Sequence, residues 1–498
     1  MTHLCVPIFV TELEKARRDI AAALAAGADL VELRIDKVIR PSVIVGLVHE
    51  HLKQIILTRR SKAEGGFAEG ASALPISGAR YTDLELATVL HDPTLVKQIS
   101  PDGLILSFHD FRAKPPLLDD LVKQANEFQA AVNKIVWMAT NILDNLDVFG
   151  LLRDAKRPTI ALCMGEAGLM SRVLAKKFGA FLTFASLNDS EATAPGQVTI
   201  SDLRNLYRWD AIKPGTKVFG VVAHPVRHSM SPAIHNAAFS EVGFDGVYLP
   251  MLVEADYESF KSFIEGFRNF EGMNLSGLSV TIPHKENALR YLKETGSEIE
   301  ELGQRIGAIN TISFGPSGKI AGKNTDYAAI LDSITEALGI GRDQLKGLRV
   351  AVLGAGGTGR AAVAALAHYG ANVIVSNRTA ERAKSLAEEF KASAMALEDI
   401  CREECDVFIN TTSVGMFPKI DGNPLGNLNP PFSPKTLVFD TIYNPMKTRL
   451  LIQAESCGAK TIGGVEMFVR QAAAQFETWT GKPAPREIMR RVIVGRLG

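Results

Sequence analysis

Between Leu4 and Leu187 the chain repeats one pattern eight times: a short apolar run, then a stretch with helical periodicity. The strand-like runs are Leu4 to Val10, Leu30 to Ile35, Gln54 to Thr58, Tyr81 to Leu86, Gly103 to Phe108, Lys134 to Met138, Thr159 to Met164 and Phe181 to Ala185. Eight such pairs in about 200 residues is the arithmetic of a (β/α)8 barrel, and near-continuous apolar strands predict a parallel sheet covered by helices. A barrel of this kind does its chemistry where the strands end.

The whole chain has 498 residues, room for roughly three domains at about 150 residues each. The segment WDAIKPGT, Trp209 to Thr216, holds a Pro-Gly turn signal, breaks the pattern and predicts a linker. A second unit starts at Lys217 with KVFGVVA and runs through mixed βα segments to about Asp326. There it reaches LRVAVLGAGGTGRAAVAALAHYG, a strand, a Gly-rich turn and an Ala-rich helix, the opening of a dinucleotide-binding βαβ unit. The expected fold class is therefore α/β, a (β/α)8 barrel followed by a two-domain α/β unit with a Rossmann-type domain.

Lys plus Arg and Asp plus Glu are 55 each, so the net charge is zero and no basic surface points to nucleic acid. No apolar run reaches the roughly 18–20 residues of a spanning helix, and MTHLCVPIFV lacks the zones of a signal peptide. Five cysteines are few and odd in number, which predicts no disulfide framework and a cytoplasmic setting. Cys401 and Cys405 lack a nearby Cys or His to complete a tetrahedral set, so no metal is expected. Small molecules are the expected partners; oligomeric state is not readable from the sequence.

Six polar sets accompany the barrel strands: Glu32 and Arg34, Arg60 and Glu64, His109, Lys134, Arg172, and Gln197. Taken singly, each charge is equally a solvated loop residue or a structural ion pair, and His109 a hydrogen-bonded rim histidine. Lys134 stands apart because it begins an apolar strand. Desolvation there would depress its pKa and make it a nucleophile, unless its stem simply carries the ammonium to the rim. In order, E-x-R, R-S-x-x-E-G-G, H-D-F, the strand lysine, M-G-x-x-G-L-M-S-R and A-P-G-Q together resemble type I 3-dehydroquinate dehydratases over roughly residues 1 to 210. The resemblance implies that Lys134 forms a Schiff base with the substrate ketone, that His109 moves protons and that Glu64 orients it. It further implies that Arg172 grips the substrate carboxylate, with Glu32, Arg34, Arg60, Thr193 and Gln197 around the ring. Thr193 stands where the family usually has Ser.

In the second unit, Gly354, Gly356 and Gly359 satisfy G-x-G-x-x-G directly after a strand, with Ala355, Gly357 and Thr358 completing the turn. The next strand ends in Asn377, Arg378 and Thr379, with no acidic residue. Arg378, helped by Arg382, suits a ribose 2′-phosphate, so NADP(H) is the expected cofactor; an ordinary surface charge is the lesser alternative for Arg378. HSMSP, SVTIPHK, AINT, KNTD, the NRT turn, NTTSVGM and FVRQ resemble shikimate dehydrogenases across about residues 215 to 498. By that resemblance Lys285 and Asp326 form the catalytic pair, and Ser229, Ser231, Thr281, Asn310, Tyr443, Gln471 and Gln475 hold the substrate. Met416, Thr441 and Gly464 fall where that family lines the nicotinamide pocket.

Three departures from the commonest bacterial pattern are Ser279 for Asn, Tyr327 for the Gly after the catalytic Asp, and AHP (Ala223 to Pro225) at the opening. Ser279 and PHK are similar to plant-type bifunctional enzymes carrying both units in this order. The expected domains are a dehydratase barrel at 1–211, a substrate-binding domain at 216–327 completed by 463–498, and an NADP-binding domain at 328–462. Consecutive shikimate-pathway steps are the expected activity. A ligand-sensing protein built from inactive copies would have no need of Lys134, His109, Lys285 and Asp326 together. A preference for quinate stays open on account of Tyr327.

Overall fold

The computed structural model describes residues 2–37, 44–67, 78–191, 193–315 and 318–497. The chain divides into two compact units, Met1–Ser229 with Asp245–Leu275, and Met230–Phe244 with Ser276–Gly498.

In the first unit eight parallel strands form a near-closed barrel: β1 (His3–Phe9), β2 (Leu30–Arg34), β3 (Ile55–Thr58), β4 (Tyr81–Glu85), β5 (Leu104–Asp110), β6 (Val132–Met138), β7 (Thr159–Met164) and β8 (Leu182–Phe184). The ladder runs β7-β6-β5-β4-β3-β2-β1-β8. Across the seam, Phe181 N donates to Thr159 O at 2.8 Å just before β8. Because side chains alternate along a strand, every second residue enters the barrel. Leu30, Ile56, Tyr81, Ile105, Val132, Ile160 and Leu182 fill one apolar layer. Two residues further along each strand come Glu32, Thr58, Asp83, Ser107, Lys134, Leu162 and Phe184. The interior thus turns from hydrocarbon to charge in a single step towards the strand C-termini.

Strand β6 begins two residues earlier than its apolar run predicts, at Val132. The polar Asn133 hid this start; its side chain bonds Asn126 at 2.9 Å while Val132 and Asn133 pair with β5. Lys134 is therefore the third residue of β6, not the first. The stretch expected as a free linker is held down: Trp209 is buried, and Lys177 Nζ donates to the carbonyls of Pro214 at 2.7 Å and Thr216 at 2.8 Å. The unit also contains a parallel pair, β9 (Lys217–Ala223) and β10 (Gly246–Leu252), and the helix Tyr257–Asn269.

The second unit holds β11 (Leu275–Val280), β12 (Glu298–Ile299), β13 (Thr311–Phe314) and β14 (Ile320–Lys323), with β13 antiparallel to both β11 and β14. Beyond them lie β15 (Arg349–Leu353), β16 (Asn372–Ser376), β17 (Ser393–Ala394), β18 (Val407–Asn410), β19 (Leu437–Asp440) and β20 (Lys460–Ile462). These six form a parallel sheet in the order β17-β16-β15-β18-β19-β20, the doubly wound arrangement. Val350 and Val352 enter one core cluster, Ala351 and Leu353 the other, so β15 is covered on both faces. The order reverses between β15 and β18, where such sheets open a crevice for a ligand. Cys401 and Cys405 belong to the second of those clusters, and burial pushes the Cys405 thiol up to about 11.

Candidate functional site

Glu32, Arg34, Arg60, Glu64, His109, Lys134, Arg172, Thr193 and Gln197 all line one cleft at the C-terminal mouth of the barrel. Lys134 is only 4% exposed, and its Nζ lies 3.0 Å from Glu32 Oε1 and 3.0 Å from Asp83 Oδ2, above the ring of Phe184. The expectation of a lysine merely stripped of water is thus corrected: the ammonium is buried and paired. Nor does it run to the rim, because the i, i+2 step in β6 aims it into the layer that holds both carboxylates.

Asp83 is shared. It also accepts from Arg60 Nη2 at 2.8 Å and from Ser107 Oγ at 2.5 Å, and Arg60 Nη1 donates to Ser107 Oγ at 2.7 Å. Burial acts to raise the Asp83 carboxyl, but Arg60 and Lys134 pull it below its usual range. Asp83 and Glu85 were missed in the sequence although YTDLE carries charged residues at the same i, i+2 spacing as E-x-R in β2. An acid pair inside an apolar strand was the available signal.

His109 Nδ1 lies 2.9 Å from Glu64 Oε2, and Arg60 Nη1 reaches the same oxygen at 3.2 Å. Burial raises the Glu64 carboxyl to about 8. Burial, then the Arg60, Lys134 and Arg34 charges, hold the His109 imidazole well below its usual 6.5. The imidazole is thus neutral at pH 7, the form that accepts a proton. Arg172 does not sit at a strand end; it rides the short helix Leu169–Val173 after β7 and is 1% exposed. Its Nε and Nη2 have no partner among the described residues, and burial pulls its guanidinium down to about 10. A buried cation without a counter-charge is costly and suits an anionic ligand in the cleft. Gln197 Oε1 accepts from Thr193 N at 2.8 Å and Thr193 Oγ1 at 3.3 Å, so the threonine keeps a hydroxyl bond at this loop.

In the second unit Lys285 Nζ and Asp326 Oδ2 are 2.5 Å apart, although 41 residues separate them in sequence. Asp326 Oδ1 accepts from Asn310 Nδ2 at 2.9 Å. Thr311 Oγ1 donates to Asn310 Oδ1 at 2.7 Å and accepts from Gln475 Nε2 at 3.1 Å. Gln475 Oε1 in turn accepts from Ser279 Oγ at 2.8 Å. A buried line of polar groups therefore runs from the helix Gly464–Thr480 to the Lys285–Asp326 pair, and Ser279 is part of it. Thr281 O caps the turn before Lys285 by accepting from His284 N at 2.8 Å. Gln471 Nε2 bonds Phe468 O at 3.1 Å, and Tyr443 packs its ring 4.9 Å from that of Phe468. Ser229 closes a backbone turn with Val226 in the first unit, and Ser231 opens the helix Ser231–Glu241 in the second. The Tyr327 hydroxyl donates to Glu300 Oε1 at 2.7 Å.

That cleft encloses about 660 Å³ and is lined by Lys285, Ala308, Ala355, Gly356, Gly357, Arg360 and Arg382 among others. A neighbouring one of about 630 Å³ is lined by Gly354, Asn377, Arg378 and Thr412 among others. Three glycines of the turn differ in what holds them. Gly354 has φ +112°, and a Cβ on Gly359 would lie 2.2 Å from Gly354 O, whereas a Cβ on Gly356 would meet nothing within 4 Å. The first and third close the turn and seat the helix Gly357–His368; the second leaves open space at its N-terminus, where a pyrophosphate fits. Asn377 Oδ1 ties the turn to β16 by accepting from Ala355 N at 3.2 Å, and Asn377 Nδ2 donates to Thr379 O at 3.0 Å. Arg378 and Arg382 are exposed and form no salt bridge among the described residues, so both are available to a phosphate. Thr358 lies in the first turn of that helix. Thr441 and Gly464 meet at the end of β19, where a Cβ on Gly464 would fall 2.3 Å from Thr441 O; Met416 is 44% exposed on the loop after β18.

Gly359→Ala is expected to cost about 1–3 kcal/mol of stability, read as a lowered melting temperature. Gly356→Ala is expected to leave melting unchanged and weaken NADPH binding roughly tenfold by titration calorimetry, about 1.4 kcal/mol.

Residues 4–214 match the family Type I 3-dehydroquinase. Residues 221–312 match the Shikimate dehydrogenase substrate binding domain, 336–418 match Shikimate / quinate 5-dehydrogenase, and 464–494 match the Shikimate 5'-dehydrogenase C-terminal domain. A chloroplastic bifunctional 3-dehydroquinate dehydratase/shikimate dehydrogenase of Arabidopsis thaliana is 38% identical, covering 97% of this chain and 83% of that protein. A shikimate dehydrogenase (NADP(+)) of Methanosarcina acetivorans is 39% identical over 56% of this chain and 99% of its own length. A crystal structure of a shikimate dehydrogenase with NADP+ superposes with a TM-score of 0.52 at 36% identity, covering 57% of this chain and 96% of that one. With two catalytic units in one order, and a relative spanning both, the chain belongs to the family of bifunctional 3-dehydroquinate dehydratase/shikimate dehydrogenases.

Proposed function

We propose that the chain dehydrates 3-dehydroquinate in the barrel through an imine on Lys134 and reduces the product, 3-dehydroshikimate, at the Lys285–Asp326 pair. The observation that carries the first step is a lysine buried between two carboxylates in the cleft that also holds Arg172, whose Nε and Nη2 have no partner among the described residues. Arg172 takes the substrate carboxylate. Lys134, held as an ammonium between Glu32 and Asp83, first passes one proton to Glu32; the free amine adds to the C3 ketone, and the carbinolamine hydroxyl leaves as water on taking that proton back, giving an iminium beside the two restored carboxylates. The iminium acidifies C2, neutral His109 removes that proton, and the C1 hydroxyl departs as water after taking a proton back from the imidazolium. Hydrolysis of the imine then restores Lys134, so the net change is loss of one water.

In the second unit NADPH, when bound, supplies hydride to the C3 ketone of 3-dehydroshikimate. Lys285 gives the developing alkoxide a proton, Asp326 keeps the ammonium aimed at it, and the line through Asn310 and Gln475 holds Asp326. Gly354, Gly356 and Gly359 would cradle the pyrophosphate and Arg378 with Arg382 the 2′-phosphate. Ser229, Ser231, Thr281, Tyr443 and Gln471 would contact substrate hydroxyls and carboxylate, with Met416, Thr441 and Gly464 around the nicotinamide. The proposed domain borders are 1–211, 216–327 completed by 463–498, and 328–462. No helix among the described residues is long and apolar enough to cross a membrane. We place the protein in a reducing compartment, the cytoplasm, on the strength of its five free cysteines.

The test is one reaction mixture containing the whole chain, 3-dehydroquinate and NADPH. Shikimate should form with one NADPH oxidised per substrate, and NADH should serve far less well. Arg378→Ala should narrow that preference by roughly tenfold or more, the worth of a charge-assisted phosphate contact. No cofactor oxidation, or equal use of both cofactors by the unmodified chain, would refute the reading.

A further inference from the structure

The carboxylate of the Lys285–Asp326 pair stands in the first turn of the helix Thr325–Leu338, so its position depends on how that helix starts. Asn324 is the N-cap: its Oδ1 accepts from Asp326 N at 3.0 Å and from Tyr327 N at 3.4 Å, and its Nδ2 donates to Ala308 O at 2.9 Å. In a capping box the third helical residue is Glu or Gln and reaches back to the N-cap N–H. Here that residue is Tyr327, which has no acceptor suited to the task. The reciprocal acceptor comes instead from Glu300, at the end of another segment. Its Oε2 accepts from Asn324 N at 3.0 Å and its Oε1 accepts from Tyr327 hydroxyl at 2.7 Å. Glu300 is fixed in turn by its own N–H, which donates to Gly322 O at 3.0 Å. Burial, and next the Glu300 carboxylate, keep the phenol protonated far above neutral pH, so it remains a donor.

Resting on the functional reading above, we infer that Glu300 and Tyr327 form a capping box split between two segments, whose role is to position Asp326 for proton delivery by Lys285. Both are positioning residues, acting through Asp326.

The test uses the full-length protein; an unchanged melting profile and unchanged NADPH affinity report that the second unit is folded, and the dehydratase activity serves as the control for the first. In Tyr327→Phe the ring keeps its packing against the cluster of Ile306, Ala308, Ala361 and Ala364 and loses only the hydroxyl bond. The expected result is a roughly five- to tenfold lower kcat for dehydroshikimate reduction, with KM within about twofold. With NADPH deuterated at the transferred position the isotope effect on kcat should rise, and dehydratase kcat should not move. Glu300→Ala should lose more, Glu300→Gln should recover part, and adding Tyr327→Phe to Glu300→Ala should cost nothing further, because the tyrosine acts through the carboxylate. An unchanged dehydrogenase kcat in Tyr327→Phe, additive losses in the double variant, or equal losses in both activities would overturn the proposal. Lys285→Met run in parallel separates the layers. If it is fully active, the functional reading falls and the positioning role with it; if it is inactive while Tyr327→Phe is normal, only the positioning role falls.

Discussion

Lys134→Met is expected to lower the dehydratase rate by about three orders of magnitude or more while the dehydrogenase rate stays as it was. Methionine matches the length of the lysine stem but has no amine to condense with a ketone. The substitution also strips Glu32 of its cation, and breaking a buried pair costs roughly 3–5 kcal/mol; Asp83 keeps Arg60. A loss of folding could therefore imitate a loss of chemistry. Lys134→Arg keeps a cation between the carboxylates and is equally unable to form an imine, so it should be as inactive and better folded. Borohydride reduction in the presence of 3-dehydroquinate should fix mass on the peptide carrying Lys134 and on no other. Full dehydratase activity in either variant, or label elsewhere, would end the imine mechanism.

The second large effect is at Lys285. Lys285→Met should reduce dehydroshikimate reduction by roughly a hundred- to ten-thousand-fold, the range that a positioned acid or base contributes. Asp326→Asn should lose less, because the amide oxygen can still accept from the lysine; it gives up the charge that draws the lysine close and sets its NH2 against the Asn310 amide donor. Neither change should alter dehydration in the barrel. Steady-state rates of both half-reactions on one preparation check this, and a Lys285→Met enzyme within tenfold of the unmodified one would remove Lys285 as the proton donor.

The barrel was legible because each strand opens on an apolar run and the runs recur eight times at similar spacing. Eight repeats leave few other ways to bury that much apolar surface. The Gly-rich turn was legible for a related reason: Gly354 and Gly359 satisfy steric demands of backbone on backbone, and such demands are written in the residues themselves. Asp83 was not legible, since an acid inside a strand reads as an interruption until the neighbouring strand is known. Register with β3 and β5 is what sets it beside Arg60, Ser107 and Lys134. Tyr327 was visible as an oddity next to Asp326, but nothing local shows that its hydroxyl is spoken for by Glu300, 27 residues away.

By itself the sequence determined the architecture, the order of the two activities and the residue types that serve them, because periodicity and short-range sterics act between near neighbours along the chain. Only the tertiary structure decided that Lys134 is ion-paired, that Arg172 Nε and Nη2 have no partner among the described residues, and that Lys285 and Asp326 touch. Those facts depend on which charges are brought within a few ångströms after water is expelled, and electrostatics at that range is set by the fold in three dimensions, not by distance along the chain.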